Sequence, residues 1–296
     1  MEKPLIFAMP GNEAMAGALC GQLGAERGQW EVRRFPDGES YIRFDTPPQG
    51  RSIAIVCSLD QPDDKLVALF LAARIARDLG ARRIGLVAPY LAYMRQDAVF
   101  KAGEGITAKY MGQLLGSCVD WLVTVDPHLH RIHDLGEVYP IATAVVHAAP
   151  SISAWIRANV DKPVVIGPDE ESAQWAAAVA EGAGCPHTVL RKVRHGDHDV
   201  EVSVPDTQHW AGHTPVLVDD IASTAKTMIA AVGHLKRAGL PAPVCIAVHP
   251  LFAGSAYEDL KASGVARVVG CNTVQHDSVA IDLSPALAHA LPRFFA

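Results

Sequence analysis

Short runs of apolar, β-forming residues alternate with longer amphipathic stretches along most of this chain. In the first half the pattern predicts strands at 53–57, 84–88 and 121–125, with helices at 65–79 and 107–115. The second half repeats the plan, with predicted strands at 164–166, 216–218, 244–248 and 266–269 and helices at 227–238 and 257–261. Such alternation is typical of βαβ units and parallel sheets. We therefore predict an α/β fold of two similar domains, each a mostly parallel sheet flanked by helices.

Chain length and composition set the scale of this fold. With 296 residues, the chain can form two domains of about 150 residues, each with its own core. We place the boundary between residues 147 and 148, which gives domains 1–147 and 148–296. A hydrophobic content of 49% with 20% charged residues is typical of a folded globular protein and excludes a disordered chain.

Charge and targeting signals exclude several functional classes. The net charge of −6 and the scattered Lys and Arg residues argue against a nucleic-acid-binding protein. The N-terminal apolar run is too short and too interrupted by proline for a signal peptide, and no segment approaches the ~20 apolar residues that cross a bilayer. Six widely spaced cysteines without a Cys-x-x-Cys pair indicate reduced core thiols. We therefore expect a cytoplasmic protein that binds no membrane.

The segment 216–228 carries the most specific functional pattern. A predicted strand leads into the acids Asp219 and Asp220, and then into a small-residue and hydroxyl loop before a helix: Ser223, Thr224, Ala225, Lys226 and Thr227. Backbone N–H groups and the dipole at a helix N-terminus favour a phosphate there. The acids suit ribose hydroxyls or a magnesium-bound group beside it. Either half of the pattern alone would favour an ordinary strand–turn–helix capped by Ser or Thr, whereas both halves together favour the phosphate site.

Three further polar clusters lie in the first half. The first is Phe35, Asp37, Gly38 and Glu39, which can stack a base and accept its amino hydrogens, although Pro-Asp-Gly is also a common β-turn. The second is Arg95 and Gln96, which suit a polyphosphate and a purine edge, or a solvated turn. The third is Asp126 with His128 and His130, where we favour a magnesium or nucleotide contact by His128 over a zinc site.

Two more clusters lie in the second half. Asp169 ends a predicted strand and is a candidate functional carboxylate, whereas Glu170 and Glu171 are typical of helix capping. Lys192 and Arg194 alternate along a predicted strand and share one face, ahead of a polar stretch that we expect to be mobile. Two cations on one face suit a phosphoryl transition state. An exposed edge strand protected by charge is the alternative.

The segment 219–227 resembles the phosphoribosyl diphosphate (PRPP) fingerprint of type I phosphoribosyltransferases and PRPP synthetases. The remaining clusters, in this order, resemble the motifs of the ribose-phosphate diphosphokinase (PRPP synthetase) family. The matches are Phe35-x-Asp37-Gly38-Glu39, Pro89-Tyr90-x-x-Tyr93-x-Arg95-Gln96-Asp97, Asp126-x-His128, Pro168-Asp169 and Lys192-x-Arg194. A phosphoribosyltransferase would match only the second half.

The resemblance implies two type I phosphoribosyltransferase-like domains that transfer the diphosphoryl group of ATP to the anomeric hydroxyl of ribose 5-phosphate, with Mg²⁺ as cofactor. It implies catalysis by Lys192 and Arg194, and metal binding by His128 and Asp169. ATP would bind to the cluster from Phe35 to Glu39 and to Arg95 and Gln96. Ribose 5-phosphate would bind to Arg194, Asp219, Asp220, Ser223, Thr224, Ala225, Lys226 and Thr227. It also implies a homo-oligomer in which the 35–39 segment reaches a neighbouring active site.

Two alternatives stay open at this point. One is a phosphoribosyltransferase that consumes PRPP, which would leave the Phe35 and Arg95 clusters without a role. The other is a catalytically silent, synthetase-like regulatory subunit, against which the presence of Lys192 and Arg194 argues. Lys226 departs from the family pattern, in which a small residue is common at this position, and we expect its side chain to point away from the phosphate.

Overall fold

The computed structural model describes residues 3–129, 131–169, 172–195, 199–203, 210 and 212–296, with only the backbone described for 191–195 and 199–203. The chain forms two compact units. The first comprises Met1–His147, Thr273–Gln275 and Leu283–Ala296, and the second comprises Ala148–Asn272 and His276–Asp282.

The first unit is built around a parallel six-stranded sheet. In chain order its elements are β1 (Leu5–Ala8), α1 (Glu13–Leu23), β2 (Glu26–Arg27), β3 (Trp30–Arg34), β4 (Ser40–Phe44), β5 (Ser52–Val56), α2 (Asp63–Asp78), β6 (Arg83–Ala88), α3 (Thr107–Gly116), β7 (Trp121–Val125) and β8 (Ala142–Val146). The sheet order is β2-β1-β5-β6-β7-β8, and each neighbouring pair is parallel. Strands β3 and β4 form a separate antiparallel hairpin.

The second unit repeats this arrangement. Its elements are α4 (Ala149–Asn159), β9 (Pro163–Gly167), α5 (Ala173–Ala183), β10 (His187–Val189), β11 (Arg191–His195), β12 (Asp199–Ser203), β13 (Thr214–Ala222), α6 (Lys226–Arg237), β14 (Val244–Pro250), α7 (Ala256–Ala262), β15 (Arg267–Cys271) and β16 (Val279–Ile281). The sheet order is β10-β9-β13-β14-β15-β16, again parallel throughout. Strands β11 and β12 form the corresponding hairpin.

Burial explains why the apolar runs of the sequence become strands. Strands β5, β7 and β14 are buried along their whole length, as expected for parallel strands covered by helices on both faces. In the first unit the Trp121 ring lies so close to Gly85 that a Cβ at Gly85 would stand 1.9 Å from it. Glycine is therefore required where this large indole crosses the neighbouring strand. The predicted α/β fold with two similar parallel-sheet units is confirmed.

The C-terminal segment differs from the predicted domain limits. Helices α8 (Ser284–Ala290) and α9 (Pro292–Phe295) belong to the first unit, not to a domain 148–296. Phe294 is buried and stacks on Trp121 with the ring centroids 5.0 Å apart. Because this contact pairs residues far apart in sequence, neither hydrophobic period nor composition could predict it.

Candidate active site

The central strand of the second unit carries the acid pair of the 216–228 segment. We predicted that Asp219 and Asp220 follow a strand ending at 218, but β13 continues through Ala222. The reason is that pairing with β14 extends past the acids, with Asp219 opposite Ala247 and Ala222 opposite Pro250. The acids are therefore held by the sheet itself, and the loop before α6 is only three residues long.

That loop, residues 223–225, presents an open helix N-terminus. Ala225 has a left-handed backbone (φ +55°) and lies immediately before α6, where its methyl group offers no capping acceptor for the first N–H groups. Its side chain is buried in the core of the unit. The segment after β14 fixes the loop from outside, since Phe252 N–H and Ala253 N–H donate to the carbonyls of Ala222 (2.8 Å) and Ser223 (3.0 Å).

The side chains around this helix N-terminus are accessible. Thr224, Lys226 and Thr227 are exposed, and Ser223 is half-buried. Helix α6 begins at Lys226, one residue before the predicted start at 227, so Lys226 and Thr227 both lie in its first turn. Uncapped amide donors, hydroxyls and the helix dipole together form an arrangement that can accept an anion.

Two other carboxylates, Asp220 and Asp169, act electrostatically on Asp219 at the carboxyl end of β9 and β13. The pKa of Asp219 is well above its ordinary range because of burial and because the Asp220 and Asp169 carboxylates lie close to it. Asp219 Oδ1 accepts the Asp220 N–H at 3.0 Å, and Asp169 Oδ1 accepts the Ser172 N–H at 3.1 Å. This crowding of negative charge favours binding of a cation or of hydroxyl donors.

The predicted catalytic cations lie on the hairpin of the second unit. Lys192 pairs with Val202 and Arg194 with Val200, so the predicted strand and the two-residue spacing of the cations are confirmed for the backbone. The strand belongs to a two-stranded hairpin and not to an edge of the six-stranded sheet. The polar residues 196–198, which we expected to be mobile, lie outside the described residues, as do Glu170 and Glu171.

The hairpin of the first unit exposes the predicted base-binding cluster at its tip. Phe35 is 40% exposed, and Asp37, Gly38 and Glu39 are exposed with it. The turn closes through a hydrogen bond from Phe35 N–H to the Glu39 carbonyl at 2.8 Å. It requires Gly38, whose φ of +95° disfavours other residues.

The orientation of the Phe35 ring is set by its neighbours on the hairpin. The Arg33 guanidinium carbon lies 4.7 Å from the Phe35 ring centroid and 4.2 Å from that of Tyr41. The base of the hairpin is anchored by Trp30, whose Nε1 donates to the Ala8 carbonyl at 2.8 Å. An exposed aromatic face held on a fixed hairpin can stack a planar ligand.

Arg95 and Gln96 follow β6 in the first unit. Arg95 is exposed, while Gln96 Oε1 accepts a hydrogen bond from Thr107 Oγ1 at 3.2 Å at the start of α3. The next strand end carries Asp126 and a half-buried His128. The neighbouring His130 lies outside the described residues.

A histidine that sequence reasoning missed contacts this strand end. Asp126 is buried, and its Oδ1 lies 2.8 Å from His147 Nδ1. This hydrogen bond raises the pKa of His147 above its ordinary value. His147 directly follows β8, a strand that the apolar pattern did not predict. Pairing of β8 with β7 places His147 beside Asp126.

The described part of the chain holds no group of three or more His, Cys, Asp or Glu side chains arranged for a metal ion. None of the described helices has the length and apolar character needed to cross a membrane. In each unit, the structure thus gathers the sequence-predicted residues at the carboxyl ends of the strands and on the inserted hairpin, as expected for parallel α/β sheets.

Comparison with known proteins covers both units. The N-terminal domain of ribose phosphate pyrophosphokinase matches residues 4–118, and the phosphoribosyl transferase domain matches residues 137–285. The ribose-phosphate pyrophosphokinase of Halobacterium salinarum is 33% identical over 97% of this chain and 100% of its own length. That of Saccharolobus solfataricus is 33% identical over 88% of this chain and 91% of its own.

A solved structure has the same fold. The phosphoribosylpyrophosphate synthetase of Mycobacterium smegmatis aligns with a TM-score of 0.85 over 97% of both chains, at 23% sequence identity. At this identity the similarity establishes the architecture of two phosphoribosyltransferase-like units.

Proposed function

Because the chain belongs to the ribose-phosphate pyrophosphokinase family, we propose that it transfers the diphosphoryl group of ATP to the anomeric hydroxyl of ribose 5-phosphate. The products are 5-phosphoribosyl 1-diphosphate and AMP. The observation that carries this function is the acid-bearing strand β13, which runs into the uncapped N-terminus of α6, in a chain whose relatives align with both units.

Ribose 5-phosphate binds at this point of the second unit. Its phosphate accepts hydrogen bonds from the backbone and hydroxyls of residues 223–227. Its ring hydroxyls donate to Asp219 and Asp220, whose crowded negative charge is relieved by donors. Arg194 adds a cation for the same substrate.

ATP binds to residues of the first unit. The adenine stacks on Phe35, while Asp37 and Glu39 accept its amino hydrogens at the turn that Gly38 makes possible. Arg95 contacts the phosphates and Gln96 a purine edge. No Gly-x-x-x-x-Gly-Lys-Ser/Thr segment is present in the sequence, so side chains must hold the nucleotide.

The donor set fits magnesium that arrives with ATP. Mg²⁺ keeps several waters and needs only one or two protein ligands beside substrate phosphates, which agrees with separate donors and with no three-residue cluster among the described residues. His128 and Asp169 are the assigned ligands. Bound with ATP, magnesium would neutralise negative charge on the phosphates.

Catalysis rests on position and charge. Lys192 and Arg194, two residues apart on β11, contact the β-phosphoryl group as charge accumulates on its non-bridging oxygens. The anomeric hydroxyl attacks in line and AMP leaves. No residue is assigned as a general base, since positioning and electrostatics supply most of the barrier reduction in phosphoryl transfer.

One assay tests the function against its alternatives. Purified protein is mixed with ATP, ribose 5-phosphate and Mg²⁺, and AMP and PRPP are quantified with and without ribose 5-phosphate. We expect both products in equal amounts and only when ribose 5-phosphate is present. A phosphoribosyltransferase would instead consume PRPP when offered a nucleobase, and a silent regulatory subunit would form no AMP. Either result contradicts the proposal.

We further propose a homo-oligomer in which the 35–39 segment completes the site of a neighbouring chain. Exposure of Phe35 on a hairpin tip supports this. Phe35→Ala and Lys192→Ala variants, each impaired alone when ATP is kept below its KM for Phe35→Ala, should regain part of the activity when dissociated and reassembled together, because some sites then receive both intact residues. Phe35→Ala mixed with itself is the control. Activity in a species that light scattering identifies as a monomer would refute the proposal.

A further inference from the structure

An ion pair between a buried carboxylate, Asp97, and an exposed guanidinium, Arg131, joins two neighbouring loops of the first unit. Asp97 lies on the loop after β6, and Arg131 lies on the loop after β7. The Asp97 side chain is only 3% exposed. Its Oδ2 accepts the backbone N–H of Arg131 at 3.0 Å, and its Oδ1 accepts the Arg131 guanidinium Nη1 at 3.0 Å. Both carboxylate oxygens are thus used by one residue of the adjacent loop.

Arg131 also contacts the far part of the Asp97 loop. Its guanidinium carbon lies 5.1 Å from the centroid of the Phe100 ring, which is 55% exposed. That part of the loop has its own support, because the N–H groups of Phe100 and Lys101 donate to Glu104 Oε2 at 2.8 and 2.9 Å. Arg131 therefore holds a preformed loop at two points.

The charge state of the pair is consistent with a permanent link. Burial by itself would raise the pKa of Asp97, but the hydrogen bonds from the backbone and guanidinium of Arg131 outweigh burial and lower it. A buried carboxylate that loses its partner must move or take up a proton. Loss of Arg131 is therefore expected to shift the loop after β6.

We propose that Asp97 and Arg131 are positioning residues that fix the spacing between the nucleotide-binding Arg95 and Gln96 and the metal-binding His128. This inference rests on the proposed function. Arg95 and Gln96 directly precede Asp97, and His128 is three residues before Arg131. Asp97 itself cannot contact a substrate while both of its oxygens are bound and covered, so the pair acts through its neighbours. Small displacements of positioning residues are costly, since a shift of about 1 Å can lower a rate about 100-fold.

The test compares Asp97→Asn, Arg131→Met and the double variant. We expect the KM for ATP, and the Kd for Mg-ATP by calorimetry, to rise about tenfold in each single variant. The KM for ribose 5-phosphate should change less than twofold. The double variant should have a Kd for Mg-ATP no higher than that of the single variant with the higher Kd, because the two residues act as one unit. Arg131→Lys, which keeps a charge but loses the planar contact with Phe100, should give a smaller rise.

The same sheet offers a matched control. Arg77, at the end of α2, places Nη2 2.7 Å from Asp120 Oδ1, and Asp120 Oδ2 accepts the Ile84 N–H at 2.7 Å, so this ion pair lies at the amino ends of β6 and β7. Arg77→Met should lower the Tm without changing the KM or Kd for ATP.

Two results would overturn the inference. One is an unchanged Kd for Mg-ATP in Arg131→Met, and the other is an equal rise in Arg77→Met. If Arg131→Met does not fold, Arg131→Lys and Asp97→Asn carry the same comparison. Failure of the proposed function is distinguishable, because the unaltered protein would then release no AMP while the calorimetric comparison still reports on positioning.

Discussion

Each unit has a loop followed by a helix at the same point of its sheet topology, but the side chains at the start of the two helices differ in charge. In each sheet the third strand in order, β5 or β13, runs into a short loop and a helix, α2 or α6. The loop after β13 is made of small residues, and the first turn of α6 carries Lys226 and Thr227. The corresponding first turn of α2 carries Asp63 and Asp64.

Side chains of α2 and of the loop after β6 contact the loop after β5 and the start of α2. Lys65 Nζ donates to the Ser58 carbonyl at 2.9 Å and to Asp60 Oδ1 at 2.6 Å, and the Tyr93 hydroxyl donates to Asp63. The two exposed first-turn acids of α2 thus place negative charge where a phosphate would need positive charge. The fold supplies an uncapped helix N-terminus in both units, but the first turn of α2 carries two acids and that of α6 carries none, so α6 suits an anion better.

The hairpins extend this comparison and carry the largest expected effect. Lys192→Ala or Arg194→Ala should lower kcat and kcat/KM together by about 10²–10³-fold, because each removes charge stabilisation that is made mainly in the transition state. Ribose 5-phosphate binding should survive, with at most a modest loss in Arg194→Ala, because residues 223–227 still hold the phosphate. Phe35→Ala on the other hairpin should instead raise the KM for ATP. Steady-state kinetics measure kcat and KM, and calorimetry measures ribose 5-phosphate binding. Near-normal turnover in Lys192→Ala or Arg194→Ala would contradict the catalytic role assigned to that residue.

Placing an acid in the first turn of α6 tests directly whether first-turn charge decides phosphate binding. Thr227→Asp gives α6 the first-turn acid that α2 has in Asp64. The KM for ribose 5-phosphate should rise at least tenfold, about 1.4 kcal/mol, because the carboxylate repels the phosphate. The Tm should stay equal or increase, since an acid stabilises a helix N-terminus. Thr227→Asn, similar in size without the charge, is the control. Unchanged ribose 5-phosphate kinetics in Thr227→Asp would place the phosphate elsewhere.

Asp219, on the β13 side, should make the stability of the protein depend on pH. When the pKa of an acid is higher in the folded than in the unfolded state, the protein binds more protons folded than unfolded. The free energy of unfolding therefore falls as pH rises from the unfolded pKa, about 3.9, through the folded pKa. The pKa of Asp219 is raised in this way. The free energy of unfolding of Asp219→Asn should therefore increase relative to that of the unaltered protein as pH rises. We expect a difference of only about 1 kcal/mol, because water at the strand end screens the repulsion.

Urea unfolding at pH 5 and pH 9 measures this difference. The matched variant is Asp64→Asn, which removes an acid from a helix first turn and should lower stability by about 0.5 kcal/mol. A stability difference for Asp219→Asn that is the same at both pH values would contradict the assigned repulsion with Asp220 and Asp169.

The smallest effect concerns Lys226, the basic counterpart of Asp63. Its side chain is exposed, and we predict that it points away from the phosphate. Lys226→Gly should then change the KM for ribose 5-phosphate by less than tenfold. A larger rise that shrinks at high salt would show that the ammonium contacts the phosphate.

Several elements followed from local pattern alone. The strand predicted at 121–125 coincides with β7, and the helix predicted at 107–115 is one residue shorter than α3. These segments have strong periodicity and clear ends, which are local properties. The predicted end of the strand at 218 was wrong by four residues, because hydrogen bonding to β14, and not the polarity of Asp219 and Asp220, decides where β13 ends.

The sequence by itself determined the two-unit α/β plan, the family motifs and the acid–hydroxyl segment before α6, because apolar period and short motifs are encoded by residues close together in the chain. Only the tertiary structure decided the equivalence of the two hairpins, the contact of His147 with Asp126, the Asp97–Arg131 link, and the return of Phe294 to Trp121. These features depend on strand order and on contacts between distant residues. Such contacts are fixed when the sheet assembles and buries its faces, and no local pattern specifies them.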